Sequence, residues 1–167
     1  FRFAIRYPIR FRLRREFDAV VYRVLNKSRP ETWGNVSVSE SYLREPESID
    51  DLRNIIESVG GKGCIPRGLG MSYGDQPMNS SGDVIRPLFR GEKIECLSTN
   101  GLVTVSSSIT FAELLEQVVP LGWYMPVVPG TSFVTIGGAI AADIHGKNHY
   151  RQSSIAEHIE SMTLMLA

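Results

Sequence analysis

In Arg67-Gly68-Leu69-Gly70-Met71-Ser72-Tyr73-Gly74-Asp75, glycines at 68, 70 and 74 free the backbone to take positive φ and to turn several N–H groups toward one point, where Ser72 adds a hydroxyl donor. Such a loop can hold an anion, a pyrophosphate above all. The residues just before it, Lys62-Gly63-Cys64-Ile65-Pro66, predict a strand running directly into the turn, the arrangement used by phosphate-binding segments. No Gly-Lys-Ser/Thr follows, so it is not a Walker loop. The third glycine is misplaced and no helical pattern follows, so it is not a Rossmann fingerprint either. On composition alone the stretch also suits a glycine-rich surface turn.

Working outward from this loop, the pattern is α/β. Ser41-Tyr42-Leu43-Arg44-Glu45-Pro46 ends an extended piece, and Ser48 caps a helix whose apolar positions Leu52, Ile55, Ile56 and Val59 keep helical spacing until Gly60-Gly61 stops it. Residues 102–107 predict a further strand. Thr110 with Glu113 three residues on is a capping box, and the helix it opens continues through Leu114, Leu115, Val118 and Val119 to Pro120 and Gly122. Proline restriction makes residues 124–129 extended. No internal repeat or low-complexity tract is present.

The second informative run is Pro129-Gly130-Thr131-Ser132-Phe133-Val134-Thr135-Ile136-Gly137-Gly138-Ala139-Ile140-Ala141-Ala142-Asp143-Ile144-His145-Gly146-Lys147-Asn148-His149. Small residues from Gly137 to Ala142 suit the close approach of another body, whether a ligand or a second stretch of backbone. Packing does not account for Asp143, His145, Lys147, Asn148 and His149, five hydrogen-bonding side chains in seven residues directly after an apolar run. These suit a polar ligand better than a metal, because His145 and His149 lack an evident third ligand and no metal site is expected.

With 167 residues and 43% hydrophobic content, the chain can bury one substantial core, which excludes a disordered or collagen-like protein. Two cysteines, Cys64 and Cys96, are too few for a disulfide framework, and no apolar run is long enough to cross a bilayer. A reducing, aqueous compartment is the expectation. Lysine plus arginine balances aspartate plus glutamate at 18 each, yet residues 1–29 carry a net +7 and residues 30–167 a net −7. The expected organisation is a basic extension over 1–29 and a domain over 30–167. Within the extension, residues 16–27 have the spacing of a short helix. Arginines interleaved with aromatics suit a solvated arm, an anionic lipid surface or a phosphate ligand, and the lack of any base-reading motif argues against nucleic acid. Arginines recurring through every apolar run also exclude a secretory signal.

Taken together, Trp33-Gly34, the loop at 67–75 and the run at 129–149 resemble the FAD-binding half of the decaprenylphosphoryl-β-D-ribose oxidase-like members of the vanillyl-alcohol-oxidase type of flavoprotein, over about residues 33–167. The resemblance implies a PCMH-type FAD-binding domain of two α/β subdomains around the cofactor. It implies FAD contacts at Pro66, Arg67, Gly68, Leu69, Gly70, Met71 and Ser72, completed by Gly130, Thr135, Ile136, Gly137, Gly138, Ala142, Asp143, Ile144 and His145. Tyr73, His145 and Lys147 are the implied catalytic candidates, near the isoalloxazine and a sugar-phosphate or polyprenyl-phosphate sugar substrate. The implied reaction oxidises a ribose 2′-hydroxyl, the first half of an epimerisation that a partner reductase completes; a sugar or polyol oxidase would keep the same cofactor half, and the third reading is a noncatalytic lipid- or anion-binding module led by the arginine-rich arm. The implied location is the cytoplasm, or the surface of the inner membrane including its periplasmic face.

Two features depart from the family pattern. Several relatives tether FAD through a histidine of the first loop, where this chain has Met71, so noncovalent FAD is expected. The substrate domain would lie beyond Ala167, and residues 162–166 resemble a strand of the second subdomain with which the sequence stops. The FAD-binding domain is therefore expected to be incomplete, and this chain alone inactive.

Overall fold

Ser48 opens the first helix as its N-cap: its side chain accepts from the Asp51 N–H at 3.0 Å, and helix α1 runs Ile49–Glu57 with Asp50 and Asp51 in the first turn, where they favour the positive end of the helix. Leu52, Ile55 and Ile56 lie half-buried on one side. In a computed structural model, which describes residues 27–28, 31–35, 39–89, 94–97 and 99–166, the chain divides into two compact units. The expected helix at 16–27 lies outside the described residues, apart from Lys27.

One unit contains α1 and a four-stranded sheet of β1 (Lys27–Ser28), β2 (Ser41–Arg44), β3 (Cys64–Pro66) and β4 (Asp83–Ile85), in the order β1-β2-β4-β3. β2 and β3 both run parallel to β4, while β1 is antiparallel to β2. β4 is buried along its whole length. The sheet therefore has a parallel centre, reached through α1, as an α/β subdomain requires. Arg44 Nε donates to Asp83 Oδ1 at 2.7 Å between β2 and β4, with both side chains mostly shielded from water. The Asn79 amide donates to the Gly63 carbonyl at 3.1 Å and the Asp83 carbonyl at 3.3 Å, so the starts of β3 and β4 share one polar clasp.

The second unit begins with the antiparallel pair β5 (Ile94–Leu97) and β6 (Val103–Val105), followed by α2 (Phe111–Val118), a 3-10 turn over Val119–Leu121, α3 (Ile136–Ala141) and the short α4 (His149–Gln152). The capping box is complete: Glu113 N–H donates to Thr110 Oγ1 at 3.1 Å, and Thr110 N–H donates to Glu113 Oε2 at 2.9 Å. Phe111, Leu114 and Val118 are buried on the inner face of α2, and they join Val103, Val105, Ile109, Met125, Val127, Ile136, Ala139 and Ile155 in one core. Burying each of the larger side chains contributes about 2 kcal/mol. Gly122 ends the turn in the left-handed region at φ 85°, which is why a glycine follows Pro120 there.

The small residues from Gly137 to Ala142 lie mostly in helix α3, capped by Thr135 Oγ1, which accepts from Gly138 N–H at 3.2 Å. One expectation is adjusted. Residues 161–164 alternate half-buried and exposed as a strand would, but they form no strand, because no described residue pairs with them in a ladder.

Candidate functional site

The first glycine loop hangs from β3. Arg67 N–H donates to the Ile85 carbonyl at 2.7 Å, which holds the loop's first residue against β4. Beyond it, none of the nine amide N–H groups of residues 68–76 meets an acceptor among the described residues. Gly68, Gly70, Met71, Ser72 and Gly74 are buried or half-buried, where amides are normally paired, so their N–H groups are the ones in a position to receive an acceptor.

The loop keeps its shape through ties from outside. Trp33 N–H donates to the Gly70 carbonyl at 2.8 Å and Gly34 N–H to the Ser72 carbonyl at 3.5 Å. Gly70 is buried at φ 73°, and a Cβ there would enter the Arg67 Nη2 position and lie 2.9 Å from the Glu31 carbonyl oxygen. At Gly34 a Cβ would collide with the Tyr73 carbonyl oxygen. The Trp33-Gly34 pair singled out in the sequence is thus the partner strip of the loop. The Thr32 hydroxyl, buried beside that strip, has no partner among the described residues.

The side chains of this loop divide in two. The Arg67 guanidinium reaches the Pro77 carbonyl through Nη1 at 3.4 Å and the Glu31 carbonyl through Nη2, and burial, with the nearby Arg86 charge, pulls its pKa below the ordinary arginine value. Gly68, Met71 and Ser72 are half-buried, whereas Pro66, Leu69 and Tyr73 face solvent, Tyr73 at 78% exposure. Glu31 and Pro77 went unnoticed in the sequence because they act through backbone carbonyls, which no side-chain pattern reveals.

In the other unit, the second run separates core from surface. Ile136 N–H donates to the Ile109 carbonyl and Gly137 N–H to the Ser107 carbonyl, both at 2.8 Å, so the first amides of α3 are occupied by protein. Gly137 lacks a side chain because Ser107 stands 3.0 Å from where its Cβ would be. Thr135 and Ile136 are buried as cap and core. Surface for a ligand is offered instead by Gly130, Gly138, Ala142, Asp143 and His145, with Ile144 half-buried between them.

The turn that carries His145 and Lys147 is pinned on several sides. The Asp143 carboxylate accepts from the Ala156 N–H at 3.1 Å, Ile155 N–H donates to the Ile144 carbonyl at 2.9 Å, and the Asn148 amide donates to the Pro126 carbonyl at 2.9 Å. His145 and His149 meet edge to face at 5.3 Å between ring centres. Among the described residues no three histidine, cysteine or carboxylate groups converge as metal ligands. An open concavity of this unit has Gly130 and Lys147 on its wall, together with Arg151, while His145 lies outside its lining. Arg151 was missed in the sequence. Its guanidinium sits 5.7 Å from the Tyr150 ring centre, and a cation four residues after Lys147 was the available signal.

A strand ending in a loop whose amides are unpaired among the described residues, backed by a close-packed glycine strip, suits a dinucleotide cofactor with a pyrophosphate, and the comparisons with known proteins identify the domain. Residues 41–167 match the family described as FAD binding domain, and the chain belongs to that family. FAD is the cofactor of this domain. Over 140 residues the chain is 46% identical to decaprenylphosphoryl-beta-D-ribose oxidase of Mycolicibacterium smegmatis, covering 81% of this chain and 30% of that protein. Over 59 residues it is 51% identical to an uncharacterized protein in the mprA 5′ region of Streptomyces coelicolor, covering 35% of this chain and 16% of that one. The resemblance read from the two glycine segments is borne out.

Among solved structures, the cholesterol oxidase of B. sterolicum superposes with a TM-score of 0.58 at 17% identity, and a solvent-stable cholesterol oxidase with 0.60 at 19%. Each likeness covers 74% of this chain and 25% of the other. At these identities the likeness is one of fold, and it bears out the α/β architecture. The chain spans 30% or less of the curated relatives described above.

Proposed function

We propose that this chain is the FAD-binding portion of an oxidoreductase that oxidises a secondary alcohol of a sugar, the 2′-hydroxyl of decaprenylphosphoryl-β-D-ribose. The observation that carries this reading is the 46% identity to an oxidase whose name states that substrate. In it, the amides of Gly68, Leu69, Gly70, Met71 and Ser72 hold the FAD pyrophosphate, with Pro66 and Arg67 leading in. Gly130, Thr135, Ile136, Gly137, Gly138, Ala142, Asp143, Ile144 and His145 make up the remaining cofactor surroundings, the exposed ones by contact and the buried ones by shaping the backbone.

Bound FAD supplies the two-electron acceptor that carbon–hydrogen oxidation needs. Of the chain's own groups, the exposed His145 offers a ring nitrogen for the hydroxyl proton, and Lys147 offers a compact positive charge for a phosphate. Tyr73 offers an exposed ring face for packing. Met71 has no nucleophilic nitrogen, so FAD is held without a covalent bond. A partner reductase acting on the resulting ketone would complete an epimerisation, and the polyprenyl tail of the substrate would place the enzyme at a membrane surface.

The test uses the full-length protein. It should purify with flavin absorbance, and anaerobic addition of decaprenylphosphoryl-β-D-ribose should bleach the flavin while free polyols do not. Bleaching by polyols alone would reassign the substrate, and a protein with no flavin and no affinity for FAD would overturn the reading as a whole.

A further inference from the structure

We infer that Arg67 is a positioning residue for the FAD loop, its guanidinium fork holding the carbonyls of Pro77 and Glu31 so that residues 68–76 keep the shape in which their amides stay free for the pyrophosphate. This rests on the proposal that FAD binds this loop.

A nine-residue segment whose N–H groups meet no acceptor among the described residues has little internal bonding there to offset the entropy of holding one conformation. Its order must come from its ends and its neighbours. Arg67 serves both. Nη1 bonds the Pro77 carbonyl at 3.4 Å, so the residue before the loop is tied to the residue after it. Nη2 bonds the Glu31 carbonyl, and Glu31 stands two residues before Trp33, whose N–H holds the Gly70 carbonyl at the middle of the loop. One planar side chain therefore joins the start, the end and the backing strip.

Gly70 is part of the same arrangement, since a Cβ there would take the space that Nη2 occupies. Burial, which depresses the Arg67 pKa, fits a group turned toward backbone carbonyls rather than toward water. A lysine carries the same charge on a single nitrogen and cannot reproduce a planar fork directed at two carbonyls on different segments. Fork and charge thus make opposite forecasts. A direct phosphate contact would survive replacement by lysine and would account for part of the salt dependence of FAD binding; a clamp would do neither.

The experiment is a titration of FAD into the full-length protein and its Arg67→Lys and Arg67→Gln variants at low and high salt, with thermal unfolding measured in parallel. The Kd should rise on the order of tenfold in both variants, the scale of one lost charge-assisted hydrogen bond. Its salt dependence should match that of the parental protein. Should the glutamine variant be too unstable to titrate, the lysine variant decides alone. Parental affinity in Arg67→Lys, or a flattened salt dependence in Arg67→Gln, would overturn the clamp while leaving the FAD reading standing. A parental protein that binds no FAD would overturn both.

Discussion

Gly34 has no side chain because the Tyr73 carbonyl leaves no room for one, and Gly70 has none because its backbone is left-handed and the Glu31 carbonyl and Arg67 guanidinium crowd the position. The two glycines therefore act together, fitting a backing strip to a loop. Alanine at Gly34 would drive its Cβ into backbone, which cannot rotate away, so residues 31–35 must lift off the loop. We expect Gly34→Ala to destabilise the full-length protein by about 1–3 kcal/mol, the range for overpacking, and to weaken FAD affinity as well. Thermal unfolding beside a flavin titration checks this, and a variant unchanged in both would show that the strip is free to shift. Met71 carries a separate prediction. With a thioether and no nucleophilic nitrogen at this loop position, acid or heat denaturation of the full-length protein should release intact FAD into the supernatant. Flavin that stays with the precipitate would point to His145 or His149 as a tether.

Among the elements, α2 is the one whose local chemistry and packing agree most closely. Its N-terminal donors are satisfied by the Thr110–Glu113 box, and Phe111, Leu114 and Val118 enter the core from one face. Thr110→Ala removes the cap without disturbing that face and should cost about 1 kcal/mol, read as a lowered Tm with FAD affinity retained. An unchanged Tm would mean that water replaces the hydroxyl at no cost. Those features were legible in the sequence because caps and helical spacing are local, and α1 with its Ser48 cap was legible for the same reason. β4 was not. Asp83, Val84 and Ile85 are too few to show a period, and their central place depends on β2 and β3 pairing from either side. α3 was legible only as small residues suited to a close approach, since two glycines give a weak helix signal, and the Ser107 contact and the Thr135 cap explain them there. The candidate site was legible as residue types and spacing. Which residues present surface and which are buried, Gly138 and Ala142 against Thr135 and Ile136, required the packed structure.

At the scale of the whole molecule, charge is distributed unevenly: residues 1–29 hold a net +7 and residues 30–167 a net −7. No helix among the described residues is long and apolar enough to cross a membrane. If the substrate carries a polyprenyl tail, the enzyme must nevertheless work where that tail is embedded, and a cluster of arginines is a means of reaching an anionic surface. Each arginine near such a surface is worth about 1 kcal/mol, an attraction that salt screens within roughly 10 Å at 0.1 M. Replacing Arg2, Arg6, Arg10 and Arg12 by glutamine in the full-length protein should therefore lower its binding to vesicles of anionic phospholipid by well over tenfold at low salt. The parental protein should lose most of its own binding at high salt, where the two forms converge. FAD affinity should stay the same, because none of the four belongs to the loop, its backing strip or the run at 129–149. Vesicle sedimentation at two salt concentrations, beside a flavin titration of both forms, measures these quantities together. Equal vesicle binding by the two forms would remove the membrane role, and a loss of FAD affinity would make the arm a structural part of the cofactor domain.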